Sequence, residues 1–153
     1  MKSKTQTPSQ TRALGRALGR RARPGDVILL LGDLGAGKTT LTQGIAAGAG
    51  FRGRVTSPTF GLAREYRAPK ITVHHLDLYR VAESETGDIG LEEYLFDPRA
   101  FCVIEWPAAA AAYLPEDRLE VRLSRARSGR AFSFRSAGPA AGRLLKELRA
   151  SVR

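Results

Sequence analysis

Gly32-Asp33-Leu34-Gly35-Ala36-Gly37-Lys38-Thr39 fits the phosphate-binding pattern G-x-x-x-x-G-K-[ST] at every specified position. The chemistry behind this spacing is electrostatic. Glycines at 32, 35 and 37 let the backbone curl so that its N–H groups face an anion, and the positive end of the following helix reinforces them. Lys38 would reach the β- and γ-phosphates of a nucleotide, and the Thr39 hydroxyl would ligate Mg2+. A glycine-rich strand-to-helix turn with an incidental Lys-Thr pair is the plainer alternative. The flanks weigh against it, because Val27 to Leu31 reads as a buried strand and the stretch ending near Ala49 reads as a helix.

Two acids stand where a nucleotide-hydrolysing site would want them. Asp77 follows Val73-His74-His75-Leu76, and Glu105 follows the apolar run Phe101 to Ile104. In an open parallel sheet the ligand crevice lies at the carboxyl ends of the strands, so both carboxylates could converge beside the phosphate loop. Mg2+ takes about six oxygen ligands and is usually held by one or two carboxylates plus substrate phosphates. One acid could therefore bind the metal, directly or through water, while the other orients the attacking water. Either could instead cap a helix or pair with Arg.

Thr59, in Ser57-Pro58-Thr59-Phe60, occupies the place where many phosphate-loop enzymes keep a hydroxyl that senses the γ-phosphate. Pro58 could equally stiffen a plain turn. Trp106 would lie beside a metal held by Glu105, or pack at a strand end. Arg125, Arg127 and Arg130 cluster at a hairpin, where they could meet phosphates or stay in water. His74 and His75 are adjacent and point to opposite faces of a strand, so they cannot chelate one metal together.

The elements that must position these residues alternate strand and helix. Ala13, Leu14, Ala17 and Leu18 recur at helical spacing, and Arg23-Pro24-Gly25-Asp26 turns the chain into the first strand. The helix after the phosphate loop carries Leu41 and Ile45 on one face. Val55 to Phe60 reads as a loop running into an extended segment through Tyr66, and Ile71 to Tyr79 as a strand. A helical stretch at Leu91 to Phe96 leads to Phe101-Cys102-Val103-Ile104, the continuous apolar run of a central parallel strand. Leu119-Val121-Leu123 and Phe132-Phe134 alternate with polar residues, predicting an antiparallel pair. Pro139 opens a last helix with Leu144, Leu145 and Leu148. The expected fold class is α/β: one domain over residues 1–153, with a mostly parallel central sheet flanked by helices, an antiparallel pair near the C-terminus, and residues 1–8 flexible.

Composition narrows the function classes. At 153 residues the chain can bury a core but cannot hold a nucleotide module plus a separate catalytic domain. It shows no apolar run long enough to cross a bilayer, and MKSKTQTPSQ lacks the apolar centre of a secretory signal, so a cytoplasmic protein is expected, with no membrane partner. The single Cys102 sits in an apolar run and reads as a buried thiol. Net charge is +10, carried mostly by Arg, with Lys only at 2, 4, 38, 70 and 146. This Arg bias, with many Ala and no Asn, resembles a base-composition effect and argues only weakly for nucleic acid; no DNA partner is expected. Val81 to Pro98 holds six acids (Glu83, Glu85, Asp88, Glu92, Glu93, Asp97) and no base. It reads as a solvated helical excursion, or as a surface that selects a partner by charge.

Four blocks together carry a resemblance. Gly32 to Thr40, Ser57-Pro58-Thr59-Phe60, His75-Leu76-Asp77-Leu78-Tyr79-Arg80 and Val103-Ile104-Glu105-Trp106-Pro107 closely resemble the bacterial TsaE (formerly YjeE) ATPases in order and spacing. The resemblance runs from the N-terminal helix to the C-terminal one. It implies an ATP- and Mg2+-dependent accessory protein for the threonylcarbamoyl modification of the tRNA adenosine next to the anticodon. The implied partner is the TsaB–TsaD complex, in which TsaD performs the transfer and through which tRNA is met indirectly. It also implies metal ligation at Thr39 and Glu105, with Asp77 required nearby. Phosphates would be held by Lys38 and the backbone of Asp33, Leu34, Gly35, Ala36, Gly37, Thr39 and Thr40. Trp106, Thr11 and Arg130 would lie close to the nucleotide. The Arg-rich C-terminal third is not part of the family's motif set.

Residue chemistry and resemblance agree on the reaction. Lys38 and Mg2+ would neutralise phosphate charge while a positioned water attacks in line and ADP leaves. Hydrolysis by the isolated chain is expected to be slow, since no Gln stands near Thr59 to orient that water. A small-molecule kinase uses the same loop, with Arg125 to Arg130 as its lid, but nothing else resembles an acceptor pocket. A regulatory GTPase needs an Asn in its guanine-reading motif, and this chain has none. An RNA-binding module driven by basic charge would work without Lys38 and fail in salt.

Overall fold

In the computed structural model, residues 1–58 and 62–152 are described. The chain runs β1 (Lys2–Thr5), α1 (Pro8–Gly19), β2 (Val27–Leu31), α2 (Lys38–Gly48), β3 (Ala63–Arg67), β4 (Thr72–Asp77), α3 (Leu91–Leu95), β5 (Ala100–Glu105), β6 (Arg118–Arg125), β7 (Arg130–Ala137) and α4 (Pro139–Ser151). Short 3-10 turns at Glu83–Asp88 and Pro107–Tyr113 flank α3 and β5.

All seven strands form one sheet in the order β1-β7-β6-β2-β5-β4-β3. The inner four, β6, β2, β5 and β4, are parallel, and the outer pairings are antiparallel. Continuous apolar sequence marks the centre: Val27 to Leu30 and Ala100 to Ile104 are buried on both faces, as a strand covered by helices on each side must be. Register then decides the site. Leu30 and Asp77 both pair with Glu105, so β2, β4 and β5 end level with one another at their carboxyl edge.

Pleat alternation divides the core. Ile28, Leu30, Phe101, Val103, Val121 and Phe134 meet α1, α2 and α4 on one face. Val27, Leu29, Leu76, Cys102 and Ile104 meet Leu91, Leu95 and Ala110 on the other. The packing of α1 on α2 depends on glycine. A Cβ on Gly15 would run into the Leu41 carbonyl oxygen, and one on Gly44 into the Arg12 backbone, so the two helices touch main chain to main chain. The acidic segment forms the Glu83–Asp88 turn and α3, with its acids outward and Leu91 and Leu95 buried.

One expectation is corrected. Residues 1–8, read as flexible, hold a strand: β1 pairs with β7, and Met1 and Phe134 exchange hydrogen bonds at 3.0 and 2.8 Å. Lys-Ser-Lys-Thr carries no apolar signal because β1 is an edge strand held by its ladder. The chain then enters α1 through Thr7, whose hydroxyl accepts from the Gln10 N–H at 3.2 Å, with Pro8 in the first turn. Among the described residues no helix is long and apolar enough to cross a membrane.

Candidate functional site

The loop after β2 is shaped by backbone that only glycine adopts easily. Gly35 and Gly37 have φ of 76° and 106°, and the Ala36 N–H donates to the Asp33 carbonyl at 3.0 Å. Helix α2 starts at Lys38, so the unpaired N–H groups of its first turn open into the loop, where an anion is favoured. Asp33, Leu34 and Gly35 form the exposed rim, Ala36 is buried beneath it, and Thr39 and Thr40 are half-buried at the helix start.

Lys38 is 6 % exposed. Its Nζ donates to the carbonyl oxygens of Gly32 and Asp33 and lies 4.1 Å from the centroid of the Trp106 ring. Burial draws its pKa below the ordinary lysine value, while the charges of Glu105, Asp77 and Asp33 pull the other way. Three acids thus share the field of one ammonium group. Trp106 reaches the lysine from a left-handed backbone, φ 53°, and its ring tilts against Tyr79 at 4.9 Å between centroids.

The two strand-end acids are held differently. Asp77 Oδ1 accepts from the Tyr79 N–H at 3.0 Å and Oδ2 from the Ser57 hydroxyl at 3.3 Å, which ties the loop after α2 to the end of β4. Glu105 is 2 % exposed, with Oε2 3.1 Å from His75 Nε2. His75 Nδ1 lies 3.1 Å from the Tyr66 hydroxyl, which donates to the Thr56 carbonyl at 2.9 Å. Burial raises the Tyr66 pKa, so that hydroxyl keeps its proton. Thr39 lines one cleft with Thr56 and Ser57, and Ser57 in turn is bonded to Asp77. All-oxygen donors with two acids suit a hard divalent cation such as Mg2+, and the adjacent N–H groups and Lys38 suit its phosphates.

Arg130 and Thr11 come to the other flank of the loop. Arg130 Nη2 donates to the Gly35 carbonyl at 3.2 Å, and Thr11, Arg130, Gly37 and Thr40 line one small cleft. Thr11 is buried, 2.7 Å from the Thr5 hydroxyl oxygen. Arg125 reaches Gly35 from the end of β6. Thr59 lies outside the described residues. His74 faces away from the site and pairs with Asp97 at 2.9 Å, so the adjacent histidines serve opposite faces. Ser57 and His75 as the partners of Asp77 and Glu105, and Tyr66 behind His75, were not evident from sequence. The one signal for His75 was its place two residues before Asp77 on a strand, where alternate residues share a face.

This arrangement joins a glycine-shaped loop at a helix start, a lysine buried among acids, and strand-end carboxylates paired in register. The family model for threonylcarbamoyl adenosine biosynthesis protein TsaE matches residues 5–132. The chain belongs to the TsaE family. A Bacillus subtilis relative is 42% identical over 126 residues, covering 82% of this chain and 78% of its own length. One from Streptomyces coelicolor is 44% identical over 121 residues, covering 75% and 79%, and one from Treponema pallidum 37% over 124 residues, covering 80% and 90%. All three are named tRNA threonylcarbamoyladenosine biosynthesis protein TsaE. The crystal structure of YdiB from Bacillus subtilis superposes with a TM-score of 0.84 at 34% identity, over 100% of this chain and 96% of that one. The α/β fold read from sequence is therefore the fold of this TsaE chain.

Proposed function

We propose that this chain is a cytoplasmic, Mg2+-dependent ATPase that supports threonylcarbamoylation of tRNA together with the TsaB–TsaD complex. The observation that carries the reading is Lys38, buried at the start of α2 between the Gly32 and Asp33 carbonyls and the field of Glu105, Asp77 and Asp33. A lysine so placed can transfer its donors from loop carbonyls to β- and γ-phosphate oxygens by moving its side chain alone. Thr39, Glu105 and Asp77 would hold the Mg2+, which when bound neutralises phosphate charge. Backbone N–H groups from Leu34 to Thr40 orient the phosphates, and Arg130 and Thr11 flank the nucleotide. Asp77, fixed by Ser57 and the Tyr79 N–H, orients the attacking water, and Thr59 is the hydroxyl that senses the γ-phosphate.

The test is phosphate release and repeated tRNA modification with purified TsaB, TsaD and tRNA. Wild type alone should turn over slowly and accelerate with the partners, while Lys38→Ala should fail in both assays. Fast hydrolysis by the chain alone that the partners leave unchanged, or tRNA modification indifferent to its presence, overturns the proposal.

A further inference from the structure

The second face of the sheet is roofed over β2, β5 and β4 by α3 and the turn at Pro107–Tyr113, but the large apolar side chains of β6 and β7, Leu119, Val121, Leu123, Phe132 and Phe134, point to the first face. The alternate residues of β6, β7 and β1 therefore lie open, with Arg122, Ser124, Ser133, Arg135, Lys2 and Lys4 all exposed. Register sets them in rows: Lys2 beside Ser133 beside Arg122, then Lys4 beside Ala131 beside Ser124. These two rows line a shallow concavity on the sheet. Arg135 adjoins Glu120 in the next row, where Glu120 is already paired with Arg118 at 3.2 Å. Among the described residues Lys2, Lys4, Arg122 and Arg135 have no acid within 4.0 Å.

The composition of the open face selects its partner. Protein interfaces are anchored by aromatic and large apolar side chains at their centre, and membrane-surface binding needs apolar residues to insert. The exposed large hydrophobics among the described residues are Leu34, Tyr79, Phe96, Tyr113 and Val152, and none belongs to these three strands. What the face offers is cations beside short hydroxyl side chains, the groups that contact phosphodiester oxygens. None of these three strands exposes an aromatic ring on which a base could stack, so the face's contacts would follow the backbone and ignore sequence.

We infer that the open face of β6, β7 and β1 is an RNA-binding surface that holds the phosphodiester backbone through Lys2, Lys4, Arg122 and Arg135. The choice of RNA among polyanions rests on the proposed tRNA-modification role. The proposed contacts themselves use neither ATP nor Mg2+ nor the partner complex.

Binding of the purified chain to an unmodified tRNA transcript, followed by fluorescence anisotropy across a salt series without nucleotide, tests this directly. The combined variant Lys2→Gln, Lys4→Gln, Arg122→Gln and Arg135→Gln should weaken binding by at least about tenfold at ~50 mM salt. It should also flatten the slope of log K against log salt by about 3, the release expected from losing roughly four phosphate contacts. A control with the same charge loss at Arg52, Lys70, Lys146 and Arg149 should keep the wild-type slope. Thermal melts of both variants establish that each is folded. Equal loss in the two variants makes the binding a net-charge effect and overturns the proposal, as does no measurable tRNA binding by wild type. Tighter binding of polyglutamate or of phosphatidylserine vesicles than of tRNA through the same four residues overturns it as well. Failure of the ATPase proposal would leave this measurement readable, because it uses neither nucleotide nor partner.

Discussion

His75 Nε2 and Glu105 Oε2 meet at 3.1 Å between neighbouring parallel strands, both side chains out of reach of solvent. The contact continues through His75 Nδ1 to Tyr66, whose one hydroxyl proton goes to the Thr56 carbonyl. With that proton committed, the Tyr66 oxygen is left to accept from the imidazole. Partners of this kind orient metal-ligating groups from behind.

His75→Ala should leave Glu105 buried without its partner and cost about 3 kcal/mol of stability, the low end for breaking a buried pair. Urea denaturation measures that loss. The Mg2+ concentration needed for half-maximal nucleotide binding should rise about tenfold or more. His75→Gln, which can still donate to the carboxylate, should recover part of both. A variant with unchanged Mg2+ demand would show that the histidine serves the core alone.

ATP with Mg2+ should raise the melting temperature of wild type, and Lys38→Ala should abolish that rise. A site binding nucleotide at 100 times its Kd contributes about 2.7 kcal/mol to the folded state, a shift of several degrees that differential scanning fluorimetry resolves. Retention of the shift would remove the lysine from the phosphate site.

Cys102 is buried against the second face, and its pKa is pushed up to about 12, by burial first and then by the charge of Asp97. The folded thiol keeps its proton while the unfolded thiol releases it near pH 9. The unfolded state thus binds fewer protons above that pH, and the thiol's contribution to stability falls as pH rises from 9 toward 12, by up to ~1.4 kcal/mol per unit. Denaturation at pH 8 and pH 10.5 should show wild type losing more stability than Cys102→Ala. Thiol reagents at pH 8 should label the folded protein only after denaturant is added.

Asp117 anchors α4 from outside the helix, its two carboxylate oxygens accepting the Ala140 and Ala141 N–H groups at 2.9 Å each. Asp117→Ala should cost about 1–2 kcal/mol, as loss of a helix cap does, with no change in ATP affinity. Equilibrium unfolding and a nucleotide titration together separate the two effects.

Gly44→Ala should push α2 off the Arg12 backbone. Because the same helix begins at Lys38, both stability and nucleotide affinity should fall, the former by about 1–3 kcal/mol as in overpacked cores. A destabilised variant with wild-type affinity would uncouple the α1–α2 contact from the site.

The centre of the sheet was legible in the sequence because Val27 to Leu31 and Phe101 to Ile104 are too apolar to lie anywhere but between two layers. Leu119-Val121-Leu123 declared the antiparallel hairpin by alternation, and the loop from Gly32 to Thr39 declared itself by spacing. Strand β1 stayed hidden because Lys-Ser-Lys-Thr is polar on both faces and is held by main-chain bonds. The Tyr66–His75–Glu105 connection joins residues 9 and 30 positions apart, and its pairing follows only from strand order. Asp117 was equally silent, since it caps a helix that starts 22 residues later.

Trp106 is the single tryptophan of the chain, and the ammonium group of Lys38 lies over its ring. The molecule therefore has a built-in optical gauge of the lysine's position. Intrinsic emission should change in intensity and wavelength when Lys38 leaves the Gly32 and Asp33 carbonyls, with no signal from any other indole to dilute it. Stopped-flow fluorescence could then time the lysine's departure in an unlabelled protein, separately from the phosphate release that the proposed ATPase would give.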